Sequence, residues 1–73
     1  MEKFKKIAAE SFSIAESDIN DSLTPNDIPE WDSMNYLLFI AAIEKEFKVT
    51  FSMDEVLNAK SLGDVRMTLQ SKI

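Results

Sequence analysis

The chain has no cysteine and no histidine. Without cysteine there is no disulfide, no thiolate metal site and no thiol nucleophile. Without histidine the Ser-His and Cys-His pairs of nucleophilic catalysis are gone, and with them the commonest zinc ligand. Little is left for acid–base chemistry at neutral pH, so neither an autonomous enzyme nor a metal site is expected. No apolar run reaches the roughly 18 residues that would suggest a membrane span. The start, Met1-Glu2-Lys3-Phe4-Lys5-Lys6, lacks the apolar stretch of a signal peptide. Basic character is scarce too: the formal net charge is -5, which disfavours nucleic acid and anionic membranes and favours basic protein surfaces. A soluble, cytoplasmic, monomeric protein is expected. Its 73 residues make one small domain, 1–73, with little stability to spare.

What is present is helical periodicity. From Glu2 to about Phe12, Phe4, Ile7, Ala8 and Phe12 recur on one stripe, with Lys3, Lys6 and Glu10 off it. Ser13 ends this helix. Both prolines, Pro25 and Pro29, fall in the stretch Asn20 to Trp31 with Asn20, Asp21, Ser22, Asn26 and Asp27, which makes it a loop. Leu23, Ile28 and Trp31 are expected to pin it to the core, since an unanchored loop of about a dozen residues is unusual in so small a domain. A second helix starts at Asp32 or Ser33, with Asp32 as its N-cap, and ends near Phe47, roughly 22 Å away. Met34, Leu37, Ile40, Ile43 and Phe47 form its expected inward stripe, widened by Phe39.

Val49-Thr50-Phe51 is too short and isolated to support a sheet. Ser52-Met53-Asp54-Glu55 has the form of a capping box and opens a short third helix to about Leu57. Ser61-Leu62-Gly63-Asp64 is a second box, opening a last helix with Val65, Leu69 and Met67 inward and ending near Ile73. Gly63 falls in its first turn, where it should matter little. The expectation is an all-α fold: a small four-helix bundle with a long loop after helix 1 and a short third helix.

Asp32-Ser33-Met34, after the long loop and at the mouth of the longest helix, is the most informative feature. A serine there can carry a phosphate-linked group, because first-turn amides point outward and the helix dipole favours negative charge. The triplet, with Ile43-Glu44-Lys45-Glu46-Phe47 and Ser61-Leu62-Gly63-Asp64-Val65, resembles the acyl carrier protein family, which includes peptidyl and D-alanyl carriers. From Asp32 onward the family pattern runs without a gap. The resemblance implies that a phosphopantetheinyl transferase moves 4′-phosphopantetheine from coenzyme A onto the Ser33 hydroxyl. The thiol at the end of that arm then holds an acyl or aminoacyl group as a thioester. A chain without a thiol would borrow one.

Asp32 has two roles that can coexist, as the helix cap and, by the resemblance, in recognition by the transferase and its metal. Met34 either flanks the arm and meets partners or fills a gap in the core. The family is usually read through an acidic second helix, and this chain departs from that. Asn35, Leu38 and Lys45 stand where fatty-acid carriers commonly have carboxylates, and Glu30-Trp31 stands where they show a glycine and a small residue. The Trp31-Asp32-Ser33 form looks more like carriers of specialised pathways, and Asp32-Ser33-Met34 is similar to D-alanyl carriers. Leu38 beside Met34 and Ala41 would give an apolar contact strip, with Glu30, Glu44 and Glu46 as acidic contacts and Asp54 and Glu55 extending them or capping.

Trp31 packs the loop rather than binding cargo, and Lys3, Lys5 and Lys6 read as a solvated helix end. Leu37, Ile40, Val56 and Leu62 either fill the core or line a space for an acyl chain, as the family allows. The expected partners are the transferase, an acyl or aminoacyl ligase, and acyltransferase or synthase enzymes. The expected function is to present an acyl thioester to enzymes of a fatty-acid-like or specialised biosynthetic pathway. The alternatives are an aminoacyl carrier loaded by an adenylating ligase, and an unmodified helical interaction module.

Overall fold

The computed structural model describes residues 2–73; Met1, the first residue of the start discussed above, lies outside them. Among the described residues four helices follow in order: α1 (Glu2–Phe12), α2 (Ser33–Phe47), α3 (Met53–Asn58) and α4 (Leu62–Gln70), with a 3₁₀ turn, Glu16–Asp18, between α1 and α2. No strand occurs among the described residues, and none of their helices is long and apolar enough to cross a membrane.

α1 and α2 stop by the same device. Ser13 (φ 57°) and Lys48 (φ 56°) adopt the left-handed conformation. The Ile14 amide then returns to the Ala9 carbonyl (3.1 Å) and the Val49 amide to that of Glu44 (3.2 Å). Ile14 and Val49 pack on the core just past each turn, the apolar contact that often accompanies a Schellman-type end. The two helices run antiparallel, with Lys3 paired to Glu46 at one end (3.3 Å) and Phe12 stacked on Trp31 at the other (centroids 5.2 Å). Phe39 joins them in the middle, edge-on to Phe4 at 5.6 Å and tilted against Phe12 at 5.2 Å. Such aromatic pairs add to what area burial alone provides. Phe4, Ala8 and Phe12 are buried as their spacing predicts; Ala9 joins them, and Ile7 is half-buried.

The loop from Asn20 to Trp31 is anchored, as expected. Ile28 and Trp31 are buried and Leu23 packs against the core. Asp27 folds back to accept from the Thr24 amide (3.1 Å) and hydroxyl (3.0 Å), a side-chain turn that suits the Pro25-Asn26 tip. α4 holds the loop from the other side: the Leu62 amide donates to the Leu23 carbonyl and the Gly63 amide to the Asp21 carbonyl, both at 3.0 Å. Arg66 closes the clamp with two hydrogen bonds to the Asp21 carboxylate, at 2.9 and 2.8 Å.

The inward face of α2 differs from the periodic expectation. Phe39, Ile40 and Ile43 are buried and Phe47 and Tyr36 pack at the margin, but Met34 is 71 % and Leu37 54 % exposed. From Ser33 to Ile43 the helix carries no charged residue. Apolar side chains therefore occur on every face, and the aromatic Phe39, not the longer stripe, decides which side turns in. α3 starts at a complete capping box, with the Glu55 amide donating to Ser52 Oγ (3.1 Å) and the Ser52 amide to the Glu55 carboxylate (2.8 Å). α4 starts at half of one. Asp64 donates its amide to Ser61 Oγ (3.3 Å), but its carboxylate accepts from the Lys60 amide (2.9 Å). Met67 faces solvent rather than the core, at 55 % exposure, and α4 ends at Gln70, short of Ile73.

Candidate functional site

Local backbone chemistry builds the mouth of α2. Asp32 is extended (φ -105°, ψ 178°), and its carboxylate accepts from the Asn35 amide at 2.8 Å. Its carbonyl accepts from the Tyr36 amide at 2.9 Å. The Ser33 and Met34 amides are among the leading donors that an α-helix leaves without an intrahelical acceptor. Ser33 itself is the first residue of α2 and is exposed. The approach is held rigidly: the Glu30 carbonyl accepts from the Asn35 side-chain amide (2.8 Å) and from the Asp32 amide (2.9 Å). An anionic ester on the Ser33 hydroxyl would meet outward-pointing amides and the positive end of the helix dipole, so the residues present fit a covalent phosphodiester.

A shallow groove of about 250 Å³ opens beside this hydroxyl. Pro25 and Trp31 from the loop, Ser33 and Tyr36 from α2, and Val56 and Leu57 from α3 line it. Tyr36 links its two sides, its hydroxyl donating to the Val56 carbonyl at 2.7 Å. Burial, with a smaller contribution from the Asp64 charge, pushes the Tyr36 phenol above its usual pKa. Tyr36 thus belongs to the site although the sequence did not single it out, and Asn35, marked there only as a departure from the family's acidic helix, belongs to it as well; their position in the turn after the cap was the available signal.

The other residues named from sequence are spread around this mouth. Met34, Leu38 and Ala41 are exposed along one face of α2, joined by Leu37. Glu30 is half-buried, and its carbonyl is engaged as described. The Glu44 carboxylate turns inward to accept from the Phe51 amide (2.7 Å), and Glu46 pairs with Lys3. Glu55 is taken up by its capping box and by Lys72 at 2.9 Å. Asp54 stands exposed in the first turn of α3. Trp31 is a packing residue, stacked on Phe12 and tilted against Tyr36. Lys3 and Lys6 border a broader open groove between α1 and α2, with Ile7, Ala42 and Lys45.

The sequence profile of the family described as phosphopantetheine attachment site matches residues 2–66. Among solved structures the fold is similar to that of a candidate acyl carrier protein from Mycobacterium tuberculosis. The two are 21 % identical, the match covers 96 % of this chain and 93 % of that one, and the TM-score is 0.85. At that identity the likeness speaks for the fold. No curated protein matches the chain in sequence.

Proposed function

The chain belongs to the phosphopantetheine attachment-site family, and on that premise we propose that Ser33 is the residue bearing the arm and that the cargo is an acyl group. Membership makes the protein a non-catalytic carrier of the acyl-carrier type, with covalent 4′-phosphopantetheine as its prosthetic group. It implies work with a transferase and with synthase-type enzymes. When attached, the arm supplies a terminal thiol that holds the cargo as a thioester. The chain's own residues do the rest. Asp32 caps α2 and holds Ser33 at the surface, and the leading amides of α2 offset the charge of the new diester. Asp32 also lies beside the hydroxyl, where a transferase and its metal would read it.

The observation that carries the assignment is the exposed Ser33 hydroxyl at the first position of the helix that Asp32 caps. Recognition by partner enzymes falls to Met34, Leu38 and Ala41, with Leu37, and to acidic contacts at Glu30, Glu46 and Asp54. Glu44 and Glu55 contribute less, because the fold already uses their carboxylates. A second reading, an aminoacyl carrier loaded by an adenylating ligase, draws support from Asp32-Ser33-Met34 and the uncharged run Ser33 to Ile43.

The test is intact-mass analysis after incubation with coenzyme A and a broad-specificity phosphopantetheinyl transferase. A gain of one arm, lost in Ser33→Ala, is expected. A gain that persists in Ser33→Ala, or no gain in folded protein, overturns the assignment. Offering the loaded protein to fatty-acid and amino-acid ligases then separates the two cargo classes.

A further inference from the structure

The seam between α2 and α3 is closed on the side facing Ser33, and the closure has a local cause. The Val56 carbonyl needs a partner from outside its own helix. α3 ends at Asn58, and the Lys60 amide that would continue the ladder donates to the Asp64 carboxylate instead (2.9 Å). Tyr36, in the first turn of α2, supplies the missing donor at 2.7 Å. The phenol is protonated, and so a donor, throughout the neutral range, and the Trp31 ring packs against it at 5.5 Å.

Behind this staple the space is filled. Ile40 is 4 %, Val56 8 % and Leu62 0 % exposed. An inserted alkyl chain would have to part these three buried side chains, whereas Leu37 is exposed. In front of the staple lies the open groove beside Ser33.

We propose that Tyr36 determines the cargo class of this carrier. By stapling α2 to the Val56 carbonyl it keeps the acyl group outside the bundle, so the protein carries short or polar acyl groups along the open groove and does not sequester long alkyl chains. This rests on the arm being attached to Ser33. Admitting an alkyl chain would break the staple, leaving a shielded carbonyl and phenol unpaired. It would also push Ile40 and Leu62 out of close packing. A short acyl or aminoacyl group requires neither.

The arm is installed already loaded, by the same transferase, from acetyl-, octanoyl- and dodecanoyl-coenzyme A. Thermal midpoints are then compared, and NMR contacts are sought between an isotope-labelled chain and the methyl groups of Ile40 and Leu62. The expected result is no rise in midpoint from acetyl to dodecanoyl and no such contacts. In Tyr36→Phe the midpoint should rise with chain length and the contacts should appear. A wild-type midpoint that climbs with length, or contacts in the wild type, overturns the closed seam. A Tyr36→Phe series as flat as the wild type overturns the role of Tyr36. The wild-type contacts decide the matter even where Tyr36→Phe does not fold. Failure of Ser33 to gain mass is a separate outcome, read before any midpoint, and it overturns the arm assignment together with this inference.

Discussion

At Gly63 the loop crosses α4 so closely that a β-carbon has no room. One built there would lie 2.8 Å from both Asp21 Cβ and the Asp21 carbonyl oxygen. Asp21 cannot easily retreat, because Arg66 grips its carboxylate and the Gly63 amide its carbonyl. In an exposed helix Gly→Ala would gain about 1 kcal/mol from propensity. Here the overpacking penalty of about 1–3 kcal/mol outweighs it. Gly63→Ala should therefore lower stability, by up to about 2 kcal/mol, in a urea titration; a gain would mean that the crossing is loose. The sequence hid this, since Gly63 reads as an ordinary first-turn glycine and nothing near it points to Asp21. Asp32 and Ser33 were legible for the opposite reason. A cap and the hydroxyl it presents are neighbours in the chain, so their geometry is local.

At the scale of elements, the helix ends were readable wherever a side chain caps its own helix. Ser52 and Glu55 show what such a cap does. α3 is six residues long, far below the length at which an isolated helix holds in water. Ser52→Ala should cost about 1 kcal/mol and speed hydrogen exchange at the Glu55 amide; an unchanged rate would show that packing of Val56 alone holds α3. The faces of α2 were less readable. With no charge between Ser33 and Ile43, apolar periodicity has no contrast: Phe39, Ile40 and Ile43 are buried as the pattern predicts, whereas Met34 and Leu37 of the same expected stripe are exposed. Their exposure has a use in testing recognition. Leu37→Ser with Leu38→Ser should change stability by no more than about 1 kcal/mol, about 0.5 for each surface substitution. It should nonetheless lower kcat/KM for a loading enzyme. The fold-loss in the double variant should be the same at low and at high ionic strength, since apolar contacts are not screened; a loss that vanishes in salt would assign recognition to Glu30, Glu46 and Asp54 alone.

Across the whole molecule, stability should narrow from both ends of the pH scale. The hydrogen bond from Arg66 holds the Asp21 carboxyl below its ordinary pKa, and the Ser52 amide, followed by Lys72, does the same for Glu55. Carboxyls depressed in the folded state stabilise it above the unfolded pKa, and that contribution is lost as pH falls through the folded values. The Tyr36 phenol is raised, so its contribution is complete below the unfolded pKa and is lost as pH climbs through the folded value. Urea midpoints should thus fall below about pH 4 and above about pH 10. Arg66→Gln should flatten the acid limb and Tyr36→Phe the alkaline one; limbs unchanged in both would assign the pH dependence to other groups. These ties join residues distant in sequence, Asp21 to Arg66 and Tyr36 to Val56, so no window of the sequence displays them. The four-helix order, by contrast, follows from signals within each segment.

Three methionines, Met34, Met53 and Met67, stand more than half open to water, and Met34 adjoins Ser33. Peroxide converts a thioether into a polar, chiral sulfoxide. Oxidative wear would therefore accumulate on the outside of this carrier, leaving the bundle folded while roughening the edge beside the serine proposed to bear the arm.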